Sequence, residues 1–145
     1  MNRITSFMSV VLTTAIGTTL FTATQATAIE KQNSDADTAC FATTPAEQIA
    51  LNAAKNEARQ MAEATNGGLN VYRAERAMHG AVIASPCEMM GPETWQFTIR
   101  GGEPTAVALE EEYTTLSVVT VQGTGRDRTV TLDHNGPIED YTYIQ

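Results

Sequence analysis

The side chains with the most chemical capacity in this sequence fall close together. Met78, His79, Cys87, Met89 and Met90 lie within 13 positions. They offer thioether, imidazole and thiolate groups, the soft donors that hold copper(I). One reading is therefore a metal-handling protein with Met78, His79, Met89 and Met90 as candidate ligands. Two facts oppose it. The spacing matches no metal motif, and methionine is a common filler of irregular loops and cores. Cys87 also has a competing use, because Cys40 and Cys87 are the only two cysteines of the chain. In an oxidising compartment such a pair bridges. Closing a loop of that length contributes about 4 kcal/mol in the chain-entropy picture. A redox-active pair would favour a short Cys-x-x-Cys, which is absent.

Other chemistries find less support. Nucleophilic catalysis needs a nucleophile, a base and a group that orients the base. Only two histidines occur, His79 and His134. Asp133 and His134 are neighbours in a strand-like stretch, which predicts side chains on opposite faces. Ser85 and Ser117 lack a nucleophile-elbow context. Glu110, Glu111 and Glu112 could supply paired carboxylates, but a charge run beside a proline-containing connection reads as a solvated turn. The EF-hand spacing of oxygen ligands is missing. Gly123-Thr124-Gly125 lacks the third glycine of a phosphate cradle. A small hydrolase is thus the weakest of the functional readings, and no cofactor is expected.

Composition narrows the classes further. The 145 residues carry 9 Lys+Arg against 17 Asp+Glu, a formal charge of -8. That balance argues against nucleic acid, which needs a basic face, and against anionic lipid. An apolar share of 42% is enough for a core. Residues 1–28 read as a signal peptide. Arg3 is their only charge, an apolar but Thr-diluted stretch runs from Phe7 to Phe21, and Ala26-Thr27-Ala28 places small residues where a signal peptidase reads. The threonines make the stretch a poor membrane span. Residues 29–39 have no apolar period and read as a disordered leader. The expected location is periplasmic or secreted, with a single domain over residues 40–145.

The elements that must position any site begin with a helix over 45–65. Thr44 is a good N-cap, Pro45 suits the first helical position, and Glu47 completes a capping box. Leu51, Ala54, Ala58, Met61 and Ala62 share a face. Asn66-Gly67-Gly68 stops the helix. Residues 69–75 read as a strand that could instead continue as helix to Met78, and 79–92 read as a loop carrying Cys87. Trp95, Phe97 and Ile99 alternate with Gln96, Thr98 and Arg100, which predicts a half-buried strand with the large residues against the helix. Strands follow over 114–122 and 128–133, then a turn at Asn135-Gly136-Pro137 and an edge strand over 138–144 with Tyr141 and Tyr143 on one face.

The predicted fold is a two-layer α+β domain: one N-terminal helix on a four- to five-stranded, mainly antiparallel meander sheet. This outline is similar to that of the cystatins as architecture alone. The cystatin Gln-x-Val-x-Gly pattern is absent, since Val119-Thr120-Val121-Gln122-Gly123 has those letters in another order. Architecture carries no function by itself. The function expected is a small exported binding or interaction module without catalytic activity, taking an unknown protein or small ligand. Its candidate binding face is Gln96, Thr98 and Arg100 with Tyr141 and Tyr143. Export has a direct check: N-terminal sequencing of protein from the native host should find a chain starting at Ile29. An intact Met1 on most copies would remove the export reading.

Overall fold

Thr44 opens the first helix with the capping box that the sequence predicts. In the computed structural model, which describes residues 39–141, its hydroxyl accepts from the Glu47 amide, and the Glu47 carboxylate accepts from the Thr44 amide at 3.2 Å. Helix α1 spans Pro45–Thr65. It ends at Asn66, and Gly67 and Gly68 take φ of 97° and 81°, backbone that glycine adopts freely. Its inner face is Leu51, Ala54, Ala58 and Ala62, all fully or almost fully buried.

The surface beneath α1 is an antiparallel sheet. Its strands are β1 (Arg73–Ala74), β2 (Cys87–Gly91), β3 (Thr94–Gly102), β4 (Thr115–Gln122) and β5 (Thr129–Pro137). Consecutive strands β2 to β5 pair as a meander, and the short β1 joins β3 on the same edge as β2, further along. The architecture is the expected α+β one. Trp95, Phe97 and Ile99 all face the helix and are 5% exposed or less. Register makes this a set of rows: Trp95–Val121–Val130, Phe97–Val119–Leu132 and Ile99–Ser117–Asn135. Large residues on the sheet meet alanines on the helix, so the two layers pack closely along the middle of α1.

A disulfide joins Cys40 to Cys87, as their presence as a lone pair predicts. It is reinforced by a Cys40 N–H to Cys87 carbonyl bond and by bridge pairing of Ala39 with Glu88. The chain ahead of α1 is thereby attached to the outer side of β2. The signal-peptide reading, and the leader reading up to residue 38, lie outside the described residues; Ala39, the last leader residue, pairs with Glu88.

Five local readings differ from the structure. Residues 79–92 are not one loop: Cys87–Gly91 is β2, whose Cys-Glu-Met-Met-Gly composition hides a strand that exists through pairing with β3 and the disulfide. The strand expected over 69–75 shrinks to Arg73–Ala74, and a 3-10 turn follows over Arg76–His79. Between β3 and β4 lies a short helix, α2 (Pro104–Leu109), capped by the Glu103 carboxylate on the Ala106 amide at 2.7 Å. Finally, Asn135-Gly136-Pro137 is no turn but the end of β5. Ile138–Asp140 forms a 3-10 turn instead of an edge strand, and 142–145 lie outside the described residues.

Asn135 stays in the strand because its amide has a partner. Asn66 and Asn135 donate to each other's side-chain oxygens, both at 3.0 Å, and the Ser117 hydroxyl donates to Asn135 at 2.7 Å. This clamps the C-terminal end of α1 to β4 and β5. Further along, Arg128 makes a two-pronged pair with Glu57 at 2.6 and 2.9 Å, holding the start of β5 against the middle of the helix.

Gly101 shows how tightly β1 is seated. A Cβ there would strike the Tyr72 ring and lie 2.6 Å from the Arg73 carbonyl oxygen. Gly101→Ala should therefore destabilise the fold by about 1–3 kcal/mol, as overpacking does. Gly91→Ala, whose new methyl meets nothing within 4 Å, is the control. Urea denaturation of both variants checks this, and equal losses would contradict the packing.

Candidate functional site

The face expected to bind is largely occupied by the protein itself. Gln96 donates to the Thr120 hydroxyl at 3.2 Å and to the Asp133 carboxylate at 3.4 Å, and Thr120 donates to Asp133 at 2.5 Å. Arg100 grips Glu75 through Nε at 3.2 Å and Nη2 at 2.7 Å, and its guanidinium lies over Tyr113 at 4.7 Å from the ring centre. Thr98 is half-buried in the row it shares with Val118 and His134. Tyr141 packs on His134 with ring centres 5.0 Å apart. Tyr143 lies outside the described residues. The structure thus places Gln96, Thr98 and Arg100 on one face, but gives Gln96 and Arg100 internal partners.

Asp133 and His134 depart from strict alternation. Val118 pairs with His134 and Val119 with Leu132, so Asp133 is the extra residue of a bulge. Its carboxylate reaches Gln96 and Thr120 on the face away from α1, which is also the side where His134 pairs with Val118. The expectation of opposite faces is overturned by that one inserted residue. Ser117 is not their partner: its side chain points to the helix side, bonded to Asn135 and fully buried.

The soft donors are dispersed among different tasks. Met78 is fully buried in the core. His79 Nε2 lies 3.2 Å from the Ala74 carbonyl and 3.7 Å from Glu63 Oε1. Cys87 has its sulfur in the disulfide. Met89 faces α1 beside Trp95, and Met90, the extra residue of a second bulge, is 56% exposed.

A buried polar group sits between α1 and β1. Glu63 is 4% exposed and pairs with Arg59 at 2.8 Å. Nearby, burial foremost pushes the Tyr72 phenol up to about 12; the Ser117 hydroxyl opposes that rise, while the Glu75 and Glu63 charges add to it. The phenol is thus neutral at any physiological pH. Tyr72 is only 2% exposed and Ser117 is fully buried, so this group lies inside the packing of the two layers.

One open cleft, of ≈ 390 Å³, adjoins Thr98 and Arg100 of the expected face, and another opens at the N-terminal end of α1, where the sequence marked none. The second has a volume of ≈ 480 Å³. One wall is helix, from Ala46, Ala50 and Leu51; the other is sheet, from Met89 and Trp95. Phe41, which follows the disulfide, closes one side and is 60% exposed. The rim is Thr43, Glu47, Pro92, Glu93 and Thr124. Two turns meet at that rim: Pro92-Glu93 links β2 to β3, and its Glu93 carbonyl accepts from the Gly123 amide of the β4–β5 turn at 2.8 Å. The volume lies within the range of small-molecule sites, and the apolar lining with few polar groups is their usual character. In sequence the only trace of it is that the alanine stripe begins at Ala46, ahead of any large partner residue. No family model, curated protein or solved structure matches the chain. Among the described residues, no helix is long and apolar enough to cross a membrane, and no group of three or more His, Cys, Asp or Glu side chains could hold a metal ion.

His79, beside Glu63 near the C-terminal end of α1 and away from the cleft, gives the fold a pH signature. Burial foremost, then the Arg59 charge, holds its imidazole below the ordinary value, with Arg73 adding to that and Glu63 and the Ala74 carbonyl opposing it. The unfolded chain therefore takes up a proton near pH 6.5 that the folded chain refuses until lower pH. Stability should fall as pH drops through about 6.5, and His79→Gln should flatten that part of the profile. Denaturation midpoints between pH 7 and 5 check it. Superimposable profiles would mean that His79 titrates alike in both states.

Proposed function

We propose that this chain is a small exported binding module without catalytic activity, and that its ligand seats in the cleft at the N-terminal end of α1. The observation that carries the reading is the cleft itself: an open apolar space bounded by Trp95, Met89 and the alanines of the helix. Such concave apolar sites are where ligands gain most from leaving water. Export is supported by the Cys40–Cys87 bridge, which persists in oxidising compartments, and by the signal-like residues 1–28. The Gln96, Thr98 and Arg100 face is less suited, because binding there would first have to break the Gln96 and Arg100 contacts described above.

The test uses the one tryptophan of the chain, which lies in the cleft wall. Nile red, an uncharged dye that brightens in apolar surroundings, should bind saturably, one per chain, and change Trp95 emission. Ala46 is exposed on the helix and lines the cleft, so Ala46→Phe fills the space without touching the core. That variant should melt like the wild type and bind the dye at least about tenfold more weakly, the effect of losing roughly 1.4 kcal/mol of contact. Dye binding that is absent, or unchanged by Ala46→Phe, would reject the cleft as the ligand seat.

A further inference from the structure

We propose that the cleft selects an amphipathic cation: an apolar chain or ring that fills the space, carrying one protonated amine that stays at the acidic rim. The inference rests on the cleft being the ligand seat and adds the charge of what it takes.

The lining is asymmetric in charge. Among the described residues that line the cleft, the ionisable ones are Glu47 and Glu93, with no lysine, arginine or histidine to offset them. The whole chain carries -8, so the long-range field reinforces the local one and draws cations. An anionic ligand would meet repulsion at the mouth. A neutral one would leave both carboxylates idle beside its bound end.

The two carboxylates are placed differently, and both placements suit a cation. Glu47 Oε2 accepts from the Thr43 amide at 2.7 Å, the Thr43 hydroxyl at 2.8 Å and the Thr44 amide at 3.2 Å. Those bonds, the Thr43 hydroxyl foremost, lower its pKa and keep it ionised. They fix the carboxylate in place at one oxygen and leave Oε1 without a hydrogen bond among the described residues. Glu93 is held by its backbone. It is the second residue of the two-residue Pro92-Glu93 turn and has φ of 49°, a conformation that favours glycine. Its carbonyl is anchored on Gly123, and its carboxylate makes no salt bridge among the described residues. A strained, non-glycine turn residue that carries an unpaired charge to the mouth of an apolar cleft is a constraint that ligand recognition would explain.

The size of the space sets the body of the ligand. A cleft of ≈ 480 Å³ admits an alkyl chain of about eight carbons or a compact ring system with room at the mouth for the head group.

The experiment holds the apolar body constant and changes only the head. The mature chain is titrated with n-octylammonium, 1-octanol and octanoate at pH 7 and low salt, below micelle-forming concentrations, following Trp95 emission. Octylammonium should bind about fivefold tighter than octanol, the scale of a partly solvated ion pair, and octanoate more weakly than octanol. Raising the salt should shrink the advantage of octylammonium and leave octanol unmoved. Glu93→Gln, a change at an exposed turn, should reduce the octylammonium-to-octanol affinity ratio by about half or more with the melting temperature unchanged. Equal affinity for the three heads, or tighter binding of octanoate, would overturn the cation inference while leaving the cleft as an apolar seat. If none of the three binds and Nile red also fails, it is the cleft reading itself that falls.

Discussion

Everything in this fold depends on how closely α1 lies on the sheet. Ala54, Ala58 and Ala62 are wholly buried, and so are Phe97 and Ile99 across from them. A methyl on one side and a large side chain on the other gives dense packing only at one separation. Enlarging the alanines would lift the helix, and trimming the sheet residues would leave cavities that cost several kcal/mol. The rows that run from β3 through β4 to β5 set the floor. Val119 and Val121 are buried to the same degree as Phe97, so the sheet offers a continuous apolar surface where the helix crosses it. The stripe of small residues is therefore a statement about distance as much as about hydrophobicity.

A methyl stripe supplies little directional information, since one alanine fits where another does. The register of helix on sheet is set by polar clamps. The amides of Asn66 and Asn135 exchange two hydrogen bonds at the C-terminal end of α1, and Ser117 joins them from below. Arg128 holds Glu57 midway. Lys55, nearly buried, donates to the Gly80 carbonyl and pins the turn after β1. Glu75, 3% exposed, accepts from the amide as well as the guanidinium of Arg100. Glu75 and Arg100 fix the segment after β1 on β3 and not the helix; for the other three, sliding the helix by one turn would separate charged or amide groups from their partners.

The parts legible in the sequence are those that local chemistry decides. The capping box at Thr44 and Glu47, the alternation of Trp95, Phe97 and Ile99, and the lone cysteine pair each specify their structure within a few residues. The parts that were not legible are decided at long range. Cys87–Gly91 has no strand signature and is a strand because β3 lies beside it. Asn135-Gly136-Pro137 has strong turn composition, and Asn66, 69 positions away, holds it extended. Asp133 and His134 alternate on paper, but a bulge places the Asp133 carboxylate on the face of Gln96 and Thr120. The cleft was invisible for the same reason: its walls come from four separate stretches of chain, and none carries a motif.

That cleft follows from the packing rule that builds the core. Ala46 and Ala50 extend the small-residue stripe toward the start of α1. In the middle of the helix those methyls meet Phe97 and Ile99. At its start they meet only Met89, the edge of Trp95 and the tips of two turns. The separation between layers is fixed by the tight contacts further along, so the layers cannot close where the large residues stop. What remains is a gap between the layers. Trp95 belongs to both regions, since it is 5% exposed within the core cluster and also lines the gap. A ligand seated there would press on a residue that already orders the sheet, and by mass action it would stabilise the folded chain as it bound. Preformed walls also spare the ligand most of the ordering cost of association. The geometry that makes the helix approach so closely thus leaves an apolar opening at its start, and the turn residues Pro92 and Glu93 stand at its mouth.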